Sequence, residues 1–154
     1  MYPTVATTPG IDQVATPAAS FTAPAFYPLY EWKLPAGFPS PAQDYLEQNA
    51  LDLNTYLVHH KAATYFFNVK GDSMMNAGIH DGDKVLVDKA VNPQHKHIVV
   101  AIYNNEYTLK ELFRKDGIIE LRPANPAYQA IRLEEGDELI VWGVVTAVIR
   151  KLSY

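Results

Sequence analysis

VKGDSMMNAGIHDGDKVLVD, residues 69–88, holds the strongest fold signal in this sequence. It begins at the end of an apolar run, passes glycines at 71, 78 and 82, and ends in a second apolar run. Short apolar runs bounded by Gly and Asp are typical of β-strands joined by turns. The stretch therefore predicts two strands and, between them, a long turn that carries Ser73.

Similar apolar runs continue along residues 37–154. They are TYFFNV at 64–69, KVLVD at 84–88, HIVVAIY at 97–103, GIIELR at 117–122 and ELIVWGVVTAVI at 138–149. All are rich in Val, Ile, Tyr and Phe, which favour strands. One short helix is expected within 51–59, with Asp52 or Asn54 near its start. We predict a mainly β domain of barrel-like or sandwich architecture over residues 37–154.

The segment EYTLKELFRK, residues 106–115, is ambiguous. Leu109, Leu112 and Phe113 follow the i, i+3, i+4 spacing of a helix, and the composition favours a helix. The segment is also short and bounded by turn residues, as a strand would be. The pattern alone leaves both structures open.

Residues 1–36 differ from the rest in composition. They contain six of the eleven prolines and only three charged residues, so the segment is expected to be an extended or irregular arm. Six aromatic residues are also present, more than disordered chains usually carry. We expect the aromatic half, residues 21–34, to dock on the body or on a second subunit.

Charge and composition exclude several classes of protein. The net charge of −4 disfavours direct, sequence-specific DNA binding, and the lack of cysteine excludes thiol chemistry. No apolar run is long enough for a membrane span, and the first residues do not resemble a secretory signal, so we expect a cytoplasmic protein. We expect no cofactor and no metal site. His95 and His97 lack an evident third ligand, and the Asp81-Gly82-Asp83 turn lacks the further oxygens of a calcium loop.

Several motifs occur in a fixed order along the body. They are GDSM at 71–74, GI at 78–79, DGD at 81–83 and YTLKEL at 107–112, together with FPSPA at 38–42 and Val144-Val145. In this order they resemble the LexA/UmuD family of self-cleaving proteins, which share an active-site fold with bacterial signal peptidases. The resemblance implies a LexA-type peptidase domain in which residues 106–115 form a strand.

The same resemblance implies a serine–lysine pair. Ser73 would be the nucleophile, and Lys110, 37 residues later, its base. A lysine accepts a proton only when neutral, and at its reference pKa of about 10.4 roughly one in 2,500 is neutral at pH 7. Burial beside apolar groups lowers this pKa if no carboxylate pairs with the amine. By resemblance, the backbone amides of Asp72 and Ser73 would form the oxyanion hole.

The expected substrate is the chain itself. The family cuts between a small residue and a glycine ahead of the domain, and here that dipeptide is Ala36-Gly37. Small residues let the backbone approach the serine closely, and the prolines at 35 and 39 favour an extended shape. Cleavage would separate an arm, residues 1–36, from a peptidase-like domain, residues 37–154.

The resemblance to UmuD implies a role in the bacterial SOS response. A RecA–single-stranded-DNA filament would stimulate cleavage, and the trimmed homodimer would join a UmuC-type lesion-bypass polymerase. Residues 1–36 are too few and too rich in proline to form the DNA-binding domain of the LexA branch. The alternatives are an interaction module of the polymerase complex that does not use the pair, a truncated LexA-like regulator, and a signal-peptidase-like enzyme that acts on other proteins.

Overall fold

The computed structural model describes residues 25–30, 33–38, 41 and 48–153. The strands are β1 (Phe26–Tyr30), β2 (Gln48–Asp52), β3 (Thr64–Asn68), β4 (Lys84–Asp88), β5 (Ile98–Tyr103), β6 (Glu106–Lys115), β7 (Ile118–Arg122), β8 (Ile131–Arg132) and β9 (Leu139–Ile149). The α-helix is α1 (Leu53–Leu57), and two single 3₁₀ turns lie at Lys61–Ala63 and Met75–Ala77. The chain divides into a small unit, Phe21–His59, and a large unit that includes His60–Tyr154.

The small unit consists of a two-stranded sheet and the helix. Strands β1 and β2 pair antiparallel, with Phe26 opposite Asp52, and every side chain of β1 is exposed. Helix α1 begins where predicted, because the Asp52 carboxylate accepts hydrogen bonds from the amides of Asn54 and Thr55, each at 3.2 Å. Most of the predicted arm, residues 1–24 and 31–32, lies outside the described residues, so its docking stays a prediction.

The large unit is built on one seven-stranded antiparallel sheet in the order β3-β4-β9-β5-β6-β7-β8. Five of its strands lie within a residue of the apolar runs read from the sequence. The ambiguous segment 106–115 is a strand, as the resemblance implied, because its neighbours β5 and β7 pair with it on both sides. The mainly β fold with one short helix is confirmed.

Strand β9 is an interior strand of this sheet, between β4 and β5, and is bulged twice. The register shifts once against β4 and once against β5, which leaves Thr146 and Trp142 without a direct partner. Such bulges bend a strand and increase its twist. Gly143, next to the second bulge, is needed for close packing, because a Cβ there would lie 2.7 Å from Cγ1 of Val87.

Both faces of the sheet are covered by apolar side chains. Along β5, Val100 and Ile102 belong to one buried cluster, whereas Val99 and Ala101 belong to another. This alternation places the clusters on opposite faces of the strand. Trp142 lies in the first cluster and is 6% exposed.

Candidate active site

Ser73 lies on the long connection between β3 and β4. Its turn is closed by a hydrogen bond from the Met75 amide to the Asp72 carbonyl at 3.1 Å. Gly71 has a φ of +88°, which favours glycine, and its amide donates to the Asp81 carboxylate at 2.6 Å. Met74 is 2% exposed and packs into the first core cluster. The half-buried serine is thus held between an anchored methionine and a glycine turn.

The far end of this connection is held by an ion pair. Arg150, just beyond β9, donates from Nε and Nη2 to the two carboxylate oxygens of Asp83, both at 2.6 Å. Nη2 also donates to the Gly78 carbonyl at 2.9 Å. These hydrogen bonds, with one from the His80 amide, lower the pKa of Asp83 from 3.8 to about 2. Arg150 therefore ties the Ser73 connection to the end of β9, a contact that no sequence motif indicated.

Strand β6 brings Lys110 to the serine. The Lys110 amine donates to Ser73 Oγ at 3.2 Å, to Thr108 Oγ1 at 2.8 Å and to the Leu109 carbonyl at 3.0 Å. Burial of the half-buried amine lowers its pKa below the ordinary value of 10.5. Among the described residues no carboxylate pairs with this amine, and Glu111, the neighbour in sequence, points to the other face of the strand.

This geometry satisfies the first requirement for proton transfer. A base must lie within about 2.6–3.2 Å of the atom whose proton it takes. The Lys110–Ser73 distance of 3.2 Å meets that limit, although the two residues are 37 positions apart. The structure therefore brings together the two side chains that the resemblance implied, and Thr108 adds a contact that sequence reading missed.

A second connection, residues 123–128, supports the serine turn. The Ala124 amide donates to the Ser73 carbonyl at 2.8 Å, and the Asn125 side chain donates to the Asp72 carbonyl at 3.0 Å. The Tyr128 hydroxyl donates to the Asp72 carboxylate at 2.5 Å, which raises the pKa of Tyr128. The backbone amides of Asp72 and Ser73 donate to no residue that the structure describes.

A cleft of about 350 Å³ lies beside Lys110. Its walls include Val69, Val85, Val100, Tyr107 and Leu109, and it reaches the lysine's partner Thr108. Most of this lining is apolar, as is usual for ligand pockets. Tyr107 is half exposed and completes the outer wall.

The expected scissile bond lies in the small unit. Ala36 and Gly37 are exposed and form part of a bend at residues 36–38. No atom lies within 4 Å of a Cβ placed on Gly37, so its present surroundings do not require glycine. Its selection as a cleavage site stays a prediction.

The candidate metal ligands have other contacts. His95 Nδ1 accepts from the Arg114 amide and His97 Nδ1 from the Gln94 amide, each at 3.2 Å. Within the described ranges, no three His, Cys, Asp or Glu side chains are grouped closely enough to hold a metal ion. No helix in the same ranges is long and apolar enough to cross a membrane.

The fold and the paired side chains are those expected of a serine peptidase domain. The Peptidase S24-like family matches residues 28–146, a range that includes both Ser73 and Lys110. The chain is 48% identical over 124 residues to protein SamA of Salmonella typhimurium, covering 80% of this chain and 85% of SamA. It is 42% identical over 120 residues to protein MucA of Escherichia coli, covering 77% and 81%. A LexA repressor of Syntrophotalea carbinolica is 45% identical over 86 residues, covering 56% and 43%.

These comparisons confirm the resemblance that the motifs carried. The chain belongs to the Peptidase S24-like family and, within it, to the UmuD-type proteins of the LexA/UmuD group. Membership supports a self-cleaving serine peptidase with a role in SOS mutagenesis.

Proposed function

We propose that the chain cuts its own Ala36–Gly37 bond, with Ser73 as nucleophile and Lys110 as base. The observation that carries this proposal is the 3.2 Å contact between the Lys110 amine and Ser73 Oγ, at a half-buried position without a carboxylate partner among the described residues. Burial disfavours the ammonium form, which is the form that cannot act as a base.

The reaction proceeds by acyl transfer. Neutral Lys110 takes the hydroxyl proton of Ser73 while Oγ bonds to the Ala36 carbonyl carbon. The amides of Asp72 and Ser73 stabilise the oxyanion. When the tetrahedral intermediate collapses, the bond to the Gly37 nitrogen breaks, and the Lys110 ammonium protonates that nitrogen.

Hydrolysis then restores the serine. Water attacks the ester between Ala36 and Ser73, Lys110 accepts one of its protons, and Ser73 Oγ is released with a proton. The products are residues 1–36 with a new carboxylate and residues 37–154 with a new amino terminus. The bond that is cut belongs to the same chain or to the dimer partner, so each active site cleaves one bond.

In the cell, cleavage regulates a damage-tolerance complex. A RecA–single-stranded-DNA filament stimulates the reaction, and the trimmed homodimer assembles with a UmuC-type lesion-bypass polymerase in the cytoplasm. The support for this role is family membership together with 42–48% identity to SamA, MucA and ImpA. The net charge of −4 supports recognition of protein partners rather than direct binding of DNA.

The test is a time course of intact masses at pH 7 and pH 10, without and with RecA filaments. Wild type is expected to yield a fragment that begins at Gly37, faster at pH 10, because more Lys110 is neutral there. Ser73→Ala and Lys110→Ala are expected to stay intact. Ser153→Ala and Lys115→Ala change exposed residues outside the site and serve as matched controls.

The alternatives give different results in this assay. A chain that stays intact under every condition is an interaction module that does not use the pair. A chain that also cuts added peptides repeatedly acts on other proteins, as a signal peptidase does. Cleavage that persists in Ser73→Ala would refute the proposed nucleophile.

A further inference from the structure

The peptide bond between Asp72 and Ser73 is held from one side by Asn125. The Asn125 side-chain nitrogen donates to the Asp72 carbonyl at 3.0 Å. The same carbonyl accepts the Met75 amide at 3.1 Å, so both of its lone pairs are engaged. The direction of this carbonyl is therefore fixed by two donors rather than by the turn alone.

The orientation of the Asn125 amide is itself determined by a third contact. Its side-chain oxygen accepts the Ala127 amide at 3.0 Å. A flipped side chain would bring two donors together at Ala127 and two acceptors together at Asp72. Asn125 is also buried, at 9% exposure, and proline occupies position 126. Proline fixes its own φ and restricts the backbone of the residue before it, which is Asn125.

Fixing the carbonyl fixes the opposite end of the same peptide. In a planar trans peptide the C=O and N–H bonds point in opposite directions. When the Asp72 carbonyl points at Asn125, the Ser73 N–H must point away from the 123–128 connection. That N–H donates to no described residue and is one of the two amides proposed to bind the oxyanion.

We infer that Asn125 is a positioning residue that aims the Ser73 N–H at the developing oxyanion. The inference rests on the proposed self-cleavage, because the oxyanion forms only if Ser73 attacks a carbonyl. The position requires a nitrogen that donates to the Asp72 carbonyl and a separate oxygen that accepts the Ala127 amide, and the asparagine carboxamide provides both. Tyr128 holds the Asp72 carboxylate instead of the carbonyl and is expected to matter less.

The experiment measures the first-order rate constant of self-cleavage from pH 7 to pH 11 in Asn125→Leu. Leucine has nearly the shape of asparagine but neither its donor nor its acceptor. Loss of one oxyanion donor lowers a rate by a factor of about 10²–10³. Because the Met75 amide still holds the Asp72 carbonyl in this variant, we expect the lower end of that range, a plateau rate reduced by a factor of about 10². The pH midpoint of the profile should not move, because Lys110 is untouched.

Three further variants make the outcome decisive. Asn125→Ala tests the same contact should the leucine variant fold poorly, and rates are normalised to the folded fraction from thermal melts. Tyr128→Phe is expected to lose only a few-fold, whereas Asn92→Ala, at an exposed asparagine, should match wild type. Plateau rates equal to wild type in folded Asn125 variants overturn the inference, as does a loss that disappears after normalisation. If wild type and Asn92→Ala do not cleave at all, the proposed function fails and the inference falls with it.

Discussion

Replacing Thr108 by valine should shift the pH dependence of self-cleavage to lower pH. Thr108 Oγ1 accepts a hydrogen bond from the Lys110 amine at 2.8 Å. Valine keeps the shape of threonine but has no acceptor. The bond is stronger to the ammonium than to the neutral amine, so its loss disfavours the charged form and lowers the pKa of Lys110.

The size of the shift follows from the difference between two hydrogen bonds. A hydrogen bond with a charged partner contributes about 1.5–3 kcal/mol, and a neutral one about 0.5–1.5 kcal/mol. Because Lys110 is only half-buried, we take a difference of about 1 kcal/mol, which corresponds to about 0.7 in pKa. Well below the midpoint, the fraction of neutral Lys110 should rise about five-fold.

The assay is the rate of fragment formation from pH 7 to pH 11 in wild type, Thr108→Val and Thr108→Ser. The serine variant keeps the hydroxyl, so its midpoint should stay near that of wild type. The readout is the midpoint, which reports the pKa of the amine, and not the plateau rate, which also depends on how the amine is oriented. A midpoint in Thr108→Val that is unchanged or higher would refute the reasoning.

Three other changes test the scaffold. Gly143→Ala places a methyl group 2.7 Å from Val87 Cγ1 and should lower the free energy of unfolding in urea by about 1–3 kcal/mol. The loss should be smaller in a Val87→Ala background, because the contacting methyl group is then absent. If the effects of the two substitutions simply add, the packing explanation is contradicted. Arg150→Gln should lower the melting temperature by several degrees at pH 7. The Asp83 carboxylate has a lowered pKa, so the stability that it contributes is present above pH 3.8 and is lost as the pH falls toward about 2. A melting-temperature deficit of Arg150→Gln that is equal at pH 7 and pH 2 would count against the ion pair. Lys110→Met should be more stable than wild type at pH 7, with the gain shrinking toward pH 10.5, because the lowered lysine pKa destabilises the folded state only while the amine is charged.

Local patterns predicted most of the large unit. Strands such as β4 and β5 are continuous apolar runs between turn residues, and their burial on both faces explains why the runs do not alternate. The strands of the small unit were missed. Strand β1 contains Pro28 and lies in a proline-rich segment, and its pairing with β2 depends on contacts distant in sequence.

The site was only partly accessible from the sequence. Periodicity left residues 106–115 open between helix and strand, so the Lys110–Ser73 contact depended on the family resemblance. Thr108 could have been found, since residues two apart on a strand share a face. Asn125 and Arg150 act through contacts 53 and 67 positions away, and no local pattern predicts such contacts.

The most direct test of the account is the titration of Lys110 itself. The side-chain signal of Lys110 can be followed by NMR in Ser73→Ala protein with labelled lysine, which stays intact at high pH, and assigned with Lys110→Ala. We predict a pKa below the ordinary 10.5, at or slightly below the midpoint of the wild-type cleavage profile, because Ser73→Ala removes one hydrogen-bond acceptor of the amine. A pKa at or above 10.5, or one above the midpoint of the cleavage profile, would contradict Lys110 as the base.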